Sequence, residues 1–259
     1  MYAHDFCFDG KTCSDHNLII CSYQSNSENT ISGGEMEYIV AKSPRTYKNN
    51  YYGCNYNSPL EWQIGLCKNP CYFHNEIYFT QYEEREITNW LVKETGYRWL
   101  QFIQEGYEDV MYKVLINVLP EQVNGHTVAF NLTITSDSPY GYSQEFIRKS
   151  KISKDKPLVV KMASDSETYI NPTIKFIGGD GITSFNNLED TMMGETKIKF
   201  KGNEIIMDTE NRIIEGIDKP DDFNYRYIRL LNGTNTIITD SSLPIDVEMR
   251  YREIRRVYV

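Results

Sequence analysis

Several features that mark other protein classes are missing from this sequence. The longest apolar runs are about four residues, far below the roughly 18–20 needed to cross a bilayer. The opening MYAHDFCFDG carries Asp5 and Asp9 where a signal peptide has an apolar core. A net charge of −9 is not the basic excess expected of a nucleic-acid-binding protein. These absences predict a chain made in a cytoplasm, without a membrane span and without a nucleic-acid-binding role.

Recognisable catalytic and cofactor motifs are also absent. The chain has no GxSxG elbow, no GxxxxGK[ST] phosphate loop, no HExxH and no GxGxxG after a strand. The glycines of GGDG at 178–181 indicate a turn between strands. Among 36 acidic residues, sequence alone selects no glycosidase pair. The sequence therefore predicts a protein that is not an enzyme and holds no cofactor, with a hydrolase of unrecognised motif as the third alternative.

The cysteines and the glycosylation sequons depend on the compartment. A chain made in a cytoplasm favours free thiols over a disulfide framework. Glycosylation requires a secretory route, so the sequons at Asn131 and Asn232 are predicted to be chance matches. The second of these, Asn232-Gly233-Thr234, is expected to form a tight turn instead. The six cysteines are Cys7, Cys13, Cys21, Cys54, Cys67 and Cys71.

The chain divides into two parts of different chemistry. Residues 1–143 carry 9 Lys and Arg against 17 Asp and Glu, whereas residues 144–259 carry 18 against 19. All tryptophans, histidines and cysteines lie in the first part. The length suits two domains of about 100–150 residues each. We therefore predict two modules, at 1–143 and 144–259, with different roles.

One constellation near the start has the composition of a zinc site. His4-x-x-Cys7 and Cys13-x-x-His16 offer two thiols and two imidazoles in matching pairs. The five residues between the pairs are far fewer than a zinc finger uses. Phe6 and Phe8 also alternate into an Asp9-Gly10 turn, which indicates a hairpin. The hairpin is the preferred interpretation, and no metal is predicted.

The first module is predicted to be rich in β-strands, with one helix. Thr80 and Glu83 form a capping box before apolar residues at helical spacing, and Gly96 offers the stop. Alternating strands are predicted at 37–42, 60–66, 110–118 and 127–135, the last two as antiparallel neighbours. The segment SPRTYKNNYYGCNYNSP, at 43–59, is predicted to be a loop rich in tyrosine and asparagine.

The second module has the pattern of a β-sandwich, with short strands and glycine-rich or polar turns about 8–12 residues apart. Along the last strand, Val247, Met249 and Tyr251 face one way, while Arg250 and Arg252 share the other face. A carbohydrate-binding module or adhesin is the second functional alternative, with Tyr169, Tyr225 and Tyr227 as its candidate residues. The predicted strands are 158–162, 173–177, 196–201, 204–208, 225–231, 236–239 and 245–251.

The order of these features resembles the distal tail proteins of long-tailed, non-contractile phages. FCFDGKTCSDHNLII (6–20) is similar to the opening of that family, with Phe6, Phe8, Gly10, Ser14, Leu18 and Ile20 in place and a departure at His16-Asn17. ITNWLVKETGYRWLQF (87–102) and the strand pair ending in SPYGYS resemble the remainder of its N-terminal domain. The second module resembles its C-terminal galectin-like domain, including an L-x-x-G-x-N-x-I hairpin at 230–237.

This resemblance implies a mainly β structural protein at the tail tip of a virion, assembled in the host cytoplasm. Its α+β N-terminal domain, at 1–143, would form a homo-hexameric ring. The galectin-like sandwich, at 144–259, would project outward, and sugar binding does not follow from its topology. The implied partners are the tail tube protein, the tail hub (tail-associated lysin or fibre), the tape-measure protein and, in some relatives, a receptor-binding protein.

Residues can be assigned to these contacts as expectations. Tyrosines suit subunit interfaces because they combine a large apolar ring with a polar end; the candidates are Tyr47, Tyr51, Tyr52 and Tyr56. The candidates for partner docking are the arginines Arg250, Arg252, Arg255 and Arg256, although a solvated sheet face with cross-strand charge pairs is the preferred interpretation of them. We further hypothesise that acidic side chains of the first module line the ring so that DNA passes only as cargo.

Overall fold

The computed structural model describes residues 3–25, 36–45, 47–56, 59–73, 76–106 and 108–257. These residues form two compact units. Unit 1 comprises the described residues up to Tyr142 together with Arg256 and Val257, and unit 2 comprises Ser143–Arg255. Both units are mainly β, as predicted. The predicted second module ran to the end of the chain, whereas Val257 is buried in the core of unit 1.

Unit 1 is built around a seven-stranded antiparallel sheet with the order β2-β1-β7-β8-β9-β6-β3. The strands β4 and β5 pair separately, as an antiparallel hairpin. The strands of unit 1 in the described residues are β1 (Asp5–Phe8), β2 (Lys11–Thr12), β3 (Leu18–Ser25), β4 (Met36–Lys42), β5 (Asn49–Tyr56), β6 (Glu61–Lys68), β7 (Arg98–Ile103), β8 (Tyr112–Val123), β9 (His126–Ser136) and β10 (Gly141–Tyr142).

The predicted helix is present and begins where the capping box places it. α2 (Gln81–Leu91) follows a short helix, α1 (Pro70–Phe73). Thr80 and Glu83 exchange both hydrogen bonds of the capping box, which satisfies two amide groups that the first turn otherwise leaves open. The helix ends at Leu91 instead of reaching Gly96, because Val92 adopts an extended conformation.

One face of the seven-stranded sheet and the apolar face of α2 form the core of unit 1. Trp62 on β6 packs edge-on against Tyr112 and Phe102, with ring centroids 4.8 Å and 5.4 Å away. From the helix, Trp90 stacks on Phe6 and donates its indole hydrogen to the carbonyl oxygen of Phe8 at 3.1 Å. Large aromatic rings therefore join the sheet to the helix.

Two tight turns confirm the hairpin predictions. Asp9 and Gly10 have φ values of 51° and 81°, and Asn124 and Gly125 have 53° and 80°. Two successive positive φ values match the twist of antiparallel strands, and Asn, Asp and Gly tolerate them best. The turn between β8 and β9 is therefore only two residues, and Pro120, expected in a longer connection, lies within β8.

The prediction of a loop over residues 43–59 was wrong for much of its length. Asn49–Tyr56 is β5, which pairs with β4 from Asn49 opposite Lys42 to Tyr56 opposite Met36. The segment lacks apolar alternation because neither face of this hairpin enters the core, and its described side chains are exposed or half-buried. A strand with two exposed faces leaves no period-2 signal in the sequence.

Unit 2 is a β-sandwich of two antiparallel sheets, as predicted. Their orders are β11-β19-β13-β16-β17 and β12-β18-β14-β15. Phe176 from the first sheet packs on Phe185 from the second, with ring centroids 4.6 Å apart, inside one shared core. The strands are β11 (Phe146–Ile152), β12 (Leu158–Met162), β13 (Thr173–Ile177), β14 (Asp180–Asn187), β15 (Thr196–Lys201), β16 (Glu204–Asp208), β17 (Ile213–Glu215), β18 (Gly233–Thr239), β19 (Ile245–Tyr251) and β20 (Ile254–Arg255).

The predicted strand at 225–231 was wrong. Only Leu230 makes a ladder contact there, an isolated bridge to Ile170, and Tyr225 has a φ of 58°, which no regular strand allows. The expected turn at Asn232-Gly233 is a bend that leads directly into β18. Asn235 fixes this bend by accepting from the amide of Leu231 at 2.8 Å and donating to its carbonyl oxygen at 2.7 Å.

Within the described residues, no helix has the length and apolar character needed to span a bilayer.

Candidate assembly surfaces

The hairpin of β4 and β5 displays aromatic side chains to solvent. We call residues 36–56 the aromatic hairpin. Tyr38, Tyr51 and Tyr52 are 60%, 62% and 65% exposed, and Ile39 and Val40 beside them are also exposed. The rings of Tyr38 and Tyr51 lie 6.4 Å apart across the two strands. Exposed apolar groups in such numbers are typical of surfaces that bind other molecules, which makes the aromatic hairpin a candidate interface.

The predicted interface tyrosines are brought together on this element. Tyr47 lies in the connection before β5, where 87% of it is exposed, and the amine of Lys48 lies 5.6 Å from its ring centroid. Tyr51 pairs with Val40, and Tyr52 is the extra residue of a β-bulge, because Gly53 pairs with Ile39. The backbone of Tyr56 ends β5, while its side chain lies outside the described residues. The aromatic hairpin thus presents the rings of Tyr47, Tyr51 and Tyr52 to solvent.

The charge of the aromatic hairpin differs from that of the sequence around it. Residues 36–56 contain Lys42, Arg45 and Lys48 against a single acid, Glu37, although residues 1–143 as a whole are strongly acidic. A basic, aromatic ribbon in an acidic domain can bind an acidic surface of a second copy by electrostatic and apolar contacts together. This combination of charge and rings is not visible from composition alone.

A cleft of about 550 Å³ lies elsewhere in unit 1, beside the edge strand β3. Apolar residues from β3, β6, β9 and the region of α1 form most of its wall, and Cys67 opens into it. The lining residues are Ile19, Cys67, Lys68, Pro70, Phe73, Glu76, Ile77 and Val128. The volume falls in the range of small-molecule or side-chain pockets.

Lys68 lines this cleft and forms an ion pair with Glu83, which belongs to the capping box of α2. Its amine lies 2.8 Å from a carboxylate oxygen of Glu83 and 4.5 Å from the ring centroid of Phe73. Burial raises the pKa of Glu83, but hydrogen bonds from Lys68 and Thr80 outweigh it and hold that pKa below its ordinary value. A nearly buried lysine is stable here because both a carboxylate and an aromatic face surround it.

The arginines predicted to dock a partner are largely used within unit 2. Arg252 donates to the carbonyl oxygen of Ser143 at 2.9 Å, and burial lowers its pKa. Arg255 donates to the carbonyl oxygen of Ala163 at 2.7 Å and pairs with the buried Glu253 at 2.6 Å. These two guanidinium groups hold loops and strand ends in place.

The other two predicted arginines are more accessible. Arg250 on β19 has an exposed side chain that pairs with Glu248 at 2.6 Å, and the hydrogen bond that Arg250 donates to Glu248 raises the pKa of Arg250. Arg256 is exposed and belongs to unit 1. The four arginines therefore do not share one environment, and only Arg250 and Arg256 remain candidates for contact with another protein.

Unit 2 contains a buried ion pair that the sequence did not indicate. Arg229 donates two hydrogen bonds to Asp190, at 2.7 Å and 2.8 Å, and its guanidinium lies 4.2 Å from the ring centroid of Tyr169. The side chains are 14% and 4% exposed. The hydrogen bonds from Arg229 are the main reason that the pKa of Asp190 is lowered. Two-point pairing of this kind fixes the loop at 188–193.

The tyrosines considered for sugar binding do not form one platform. Tyr227 is buried, and its hydroxyl donates to the carbonyl oxygen of Arg212 at 2.7 Å. Tyr169 is covered on one face by Arg229, while Tyr225 is exposed in a left-handed conformation. Tyr227 is therefore a core residue of the sandwich.

The histidines and cysteines near the start do not converge. Cys13 is buried in the core, and its pKa is raised mainly by burial. The ring of His16 stacks on Trp90 at 4.3 Å, and burial, followed by Lys11, lowers its pKa. In the part of the chain that the structure describes, no three histidine, cysteine or acidic side chains are grouped to hold a metal ion.

Two antiparallel β units, one of them with an aromatic hairpin, define a mainly β protein of two domains. The chain belongs to the phage tail protein family. A family model described as a phage tail protein N-terminal domain matches residues 1–138, and one described as a phage tail C-terminal domain matches residues 140–251. The family resemblance stated from the sequence is thereby confirmed. No curated protein matches the chain.

Among solved structures, the Dit protein of SPP1 shares this fold. It aligns with 98% of this chain and 99% of its own, with a TM-score of 0.62 and 13% sequence identity. That protein is described as a paradigm of the hub adsorption apparatus in phages that infect Gram-positive bacteria. A fructofuranosidase from Schwanniomyces occidentalis covers 85% of this chain and 60% of its own, but a TM-score of 0.24 at 9% identity supports no argument.

Proposed function

We propose that this chain is a distal tail protein that forms a homo-hexameric ring at the tail tip of a siphophage. The ring joins the tail tube to the hub and the host-adsorption apparatus, and it works by assembly, not by catalysis. The observation that carries the proposal is the agreement in fold along 98% of the chain with a hub adsorption protein. The family matches support a place in the phage tail.

The roles of the two domains follow from this proposal. The N-terminal domain, residues 1–143, forms the ring, and the C-terminal domain, residues 144–259, is a galectin-like sandwich on its outside. A closed ring requires two different surfaces on every subunit, so that each copy contacts the next in the same way. The aromatic hairpin supplies one of them, through Tyr47, Tyr51, Tyr52 and Tyr56. Its basic residues favour an acidic surface of the neighbouring subunit as the other.

The proposed partners are other proteins of the tail. The tail tube protein and the hub, a tail-associated lysin or fibre, bind opposite faces of the ring, with the tape-measure protein near its lumen. Arg250 and Arg256 are the accessible candidates for docking a receptor-binding protein. Acidic side chains of the N-terminal domain face the lumen, so that DNA passes without binding. The ring assembles in the host cytoplasm and remains in the virion.

Native mass spectrometry of the purified protein tests the ring. The wild type should appear as six copies of a 30.3-kDa chain, whereas the double variant Tyr51→Ser/Tyr52→Ser should appear as a monomer because it removes two exposed rings from the hairpin. The matched control is Tyr72→Ser/Tyr82→Ser, which removes two equally exposed tyrosines of unit 1 outside the hairpin.

Three outcomes would contradict parts of this proposal. A wild type that stays monomeric at micromolar concentration, alone and with tail tube and hub proteins, would exclude the ring. A control variant that dissociates as fully as the hairpin variant would remove the aromatic hairpin from the interface. A lumen lined mainly by lysine and arginine in an imaged ring would remove the assignment of the acidic side chains.

A further inference from the structure

Cys21 and Cys67 lie side by side on the outer face of the seven-stranded sheet. Their strands, β3 and β6, are antiparallel neighbours with Ile19 opposite Cys67 and Ile20 opposite Leu66. The ladder then shifts, and Ser22 pairs with Gly65, so that Cys21 is the extra residue of a β-bulge. A bulge turns the extra residue out of the regular alternation. Here it places the sulfur of Cys21 over Gly65, which lies two residues before Cys67 on the same face of β6.

The glycine at position 65 makes room for this arrangement. A Cβ atom built on Gly65 would lie only 3.2 Å from the sulfur of Cys21 and would also collide with the hydroxyl of Ser22. Any larger residue would therefore push Cys21 away from β6. Gly65 has no left-handed conformation that would otherwise require glycine. Its role at this position is to accommodate the bulged residues.

Both thiols can be reached by a small oxidant. Cys21 is exposed, and Cys67 is half-buried. Cys67 also opens into the cleft of about 550 Å³ beside β3, which is large enough for a tripeptide thiol to approach. The remaining cysteines lack such a neighbour: Cys13 is enclosed in the core, and Cys71 is an exposed residue of α1.

We propose that Cys21 and Cys67 are a dithiol site that closes to an intrachain disulfide when the protein meets an oxidised thiol such as glutathione disulfide. All six cysteines carry free thiols in the structure, which is the reduced state of this site. The proposal concerns unit 1 alone and does not depend on ring formation. No other two cysteines share a pair of adjacent strands in the described chain.

The reaction balances with glutathione disulfide as the oxidant. The thiolate of Cys21 attacks one sulfur of glutathione disulfide, a protein–glutathione bond forms, and the first glutathione thiolate leaves. Cys67 then loses its proton and attacks the sulfur of Cys21, which forms the intrachain bond and expels the second glutathione. Two electrons pass from the protein to the oxidant, and the two thiol protons end on two glutathione molecules. Cys21 attacks first because its thiol is exposed, whereas Cys67 is half-buried and burial raises the pKa of Cys67.

The disulfide would bind the edge strand β3 covalently to β6. The closed loop runs from residue 21 to residue 67 and contains the aromatic hairpin. Edge strands have a neighbour on one side only and open first when a sheet frays. A crosslink that encloses a long loop restricts the unfolded chain strongly. Oxidation is therefore expected to raise the thermal stability of unit 1.

Mass spectrometry of the reduced, full-length protein treated with excess glutathione disulfide tests the site. The mass of the wild type should fall by that of two hydrogen atoms, and its number of alkylatable thiols should fall by two. Proteolysis should then yield one pair of peptides linked through Cys21 and Cys67. Its Tm should rise on oxidation. In Cys67→Ser, the same treatment should leave one glutathione attached to Cys21, because the second thiol is missing. Cys71→Ser is the matched control and should behave as the wild type.

The opposite results would overturn the proposal. These are a wild type that keeps all six alkylatable thiols, one that retains a stable glutathione adduct on Cys21, or one that links Cys67 to Cys71 or to another copy. Gly65→Ala provides a second test that leaves both thiols in place. It should slow closure of the disulfide at least tenfold relative to the wild type, and equal rates would show that the bulge does not position Cys21.

Discussion

The two units use aromatic and charged side chains in opposite ways. Unit 1 buries Trp62 and Trp90 in its core but also places Tyr38, Tyr51 and Tyr52 in solvent on a separate hairpin. In unit 2, three arginines make contacts that maintain the fold: Arg229 binds Asp190, Arg255 binds Glu253, and Arg252 binds the carbonyl oxygen of Ser143. The comparison shows that the exposed tyrosine rings of unit 1 face solvent, whereas these three guanidinium groups of unit 2 are used within its own fold.

The cores of the two units also differ in the kinds of side chains that pack in them. Edge-on packing of Trp62, Phe102 and Tyr112 holds the sheet of unit 1. Unit 2 packs phenylalanines between its sheets but adds a buried polar layer, in which Asn187 donates to the side-chain oxygen of Asn235 at 2.8 Å. Such a layer requires one arrangement of its loops, since any other leaves buried polar groups unpaired. A single arrangement of the core is therefore favoured by ring packing in unit 1 and by polar pairing in unit 2.

The largest expected effect comes from Trp62→Ala. The side chain is fully buried, so we expect a loss of about 3–5 kcal/mol in the free energy of unfolding of unit 1. Urea unfolding followed by the fluorescence of Trp90 and Trp99 measures it, since all tryptophans lie in unit 1. Phe185→Ala is the matched change in unit 2 and should leave the fluorescence midpoint in place. An equal shift of the fluorescence midpoint in both variants would show that the two cores do not unfold separately.

Asp190→Asn tests the polar layer of unit 2. It leaves the guanidinium of Arg229 mostly buried without its carboxylate, which should cost about 3 kcal/mol. Circular dichroism in urea measures the change, and Asp246→Asn, an exposed partner of Lys151, should cost less than about 1 kcal/mol. The pKa of Asp190 is lowered, so its stabilising contribution is present above the ordinary aspartate pKa of 3.8 and is lost as the pH falls below it. Similar losses of unfolding free energy from both variants would show that the buried ion pair contributes no more than the exposed one.

Lys68→Met tests the ion pair between Lys68 and Glu83 at the start of α2. A methionine fills nearly the same volume, so the expected cost at pH 7 is about 1 kcal/mol. Because the pKa of Glu83 is held below its ordinary value of 4.5, the wild type keeps this contribution above pH 4.5 and loses it as the pH falls further. The variant should therefore lose less stability than the wild type between pH 6 and pH 3. An unchanged pH profile would show that Lys68 does not set it.

The smallest effect on stability is expected from Tyr52→Ser. Its ring is 65% exposed, so the free energy of unfolding should change by less than about 0.5 kcal/mol. Fluorescence-monitored urea unfolding of dilute protein gives the value, with Tyr82→Ser as the control. A loss of several kcal/mol would mean that the aromatic hairpin supports the fold of unit 1, and its proposed role in assembly would lose its main support.

Much of the fold could be predicted from local patterns. The capping box located the start of α2, and the strands Leu158–Met162, Thr173–Ile177 and Glu204–Asp208 have the predicted bounds. In each of these, one face is buried and the other is solvated, so the apolar period is visible. β11 was missed because most of its residues are exposed, and residues 225–231 were misassigned because they are buried without belonging to a ladder.

The surfaces were predictable only in part. Tyrosine content suggested an interface, but the hairpin that groups Tyr38 with Tyr51 depends on pairing between distant strands. The same limit applies to Cys21 and Cys67, which meet through a register shift that no spacing rule encodes. For the arginines, strand alternation predicted which face of the sheet carries Arg250. The carbonyl oxygen that binds Arg252 belongs to a residue 109 positions away in sequence, so this contact could be identified only from the tertiary structure.

Pro120 has a consequence for how copies of this protein meet. β7 accompanies β8 only as far as Val114, so in the described structure the outer part of β8 has β9 as its single neighbour. A proline there provides no amide hydrogen to an incoming chain. Strand-to-strand addition, which begins many irreversible fibres, is thereby discouraged at the longest open edge of the sheet. We therefore expect the exposed length of β8 to be a poor template for strand pairing between copies.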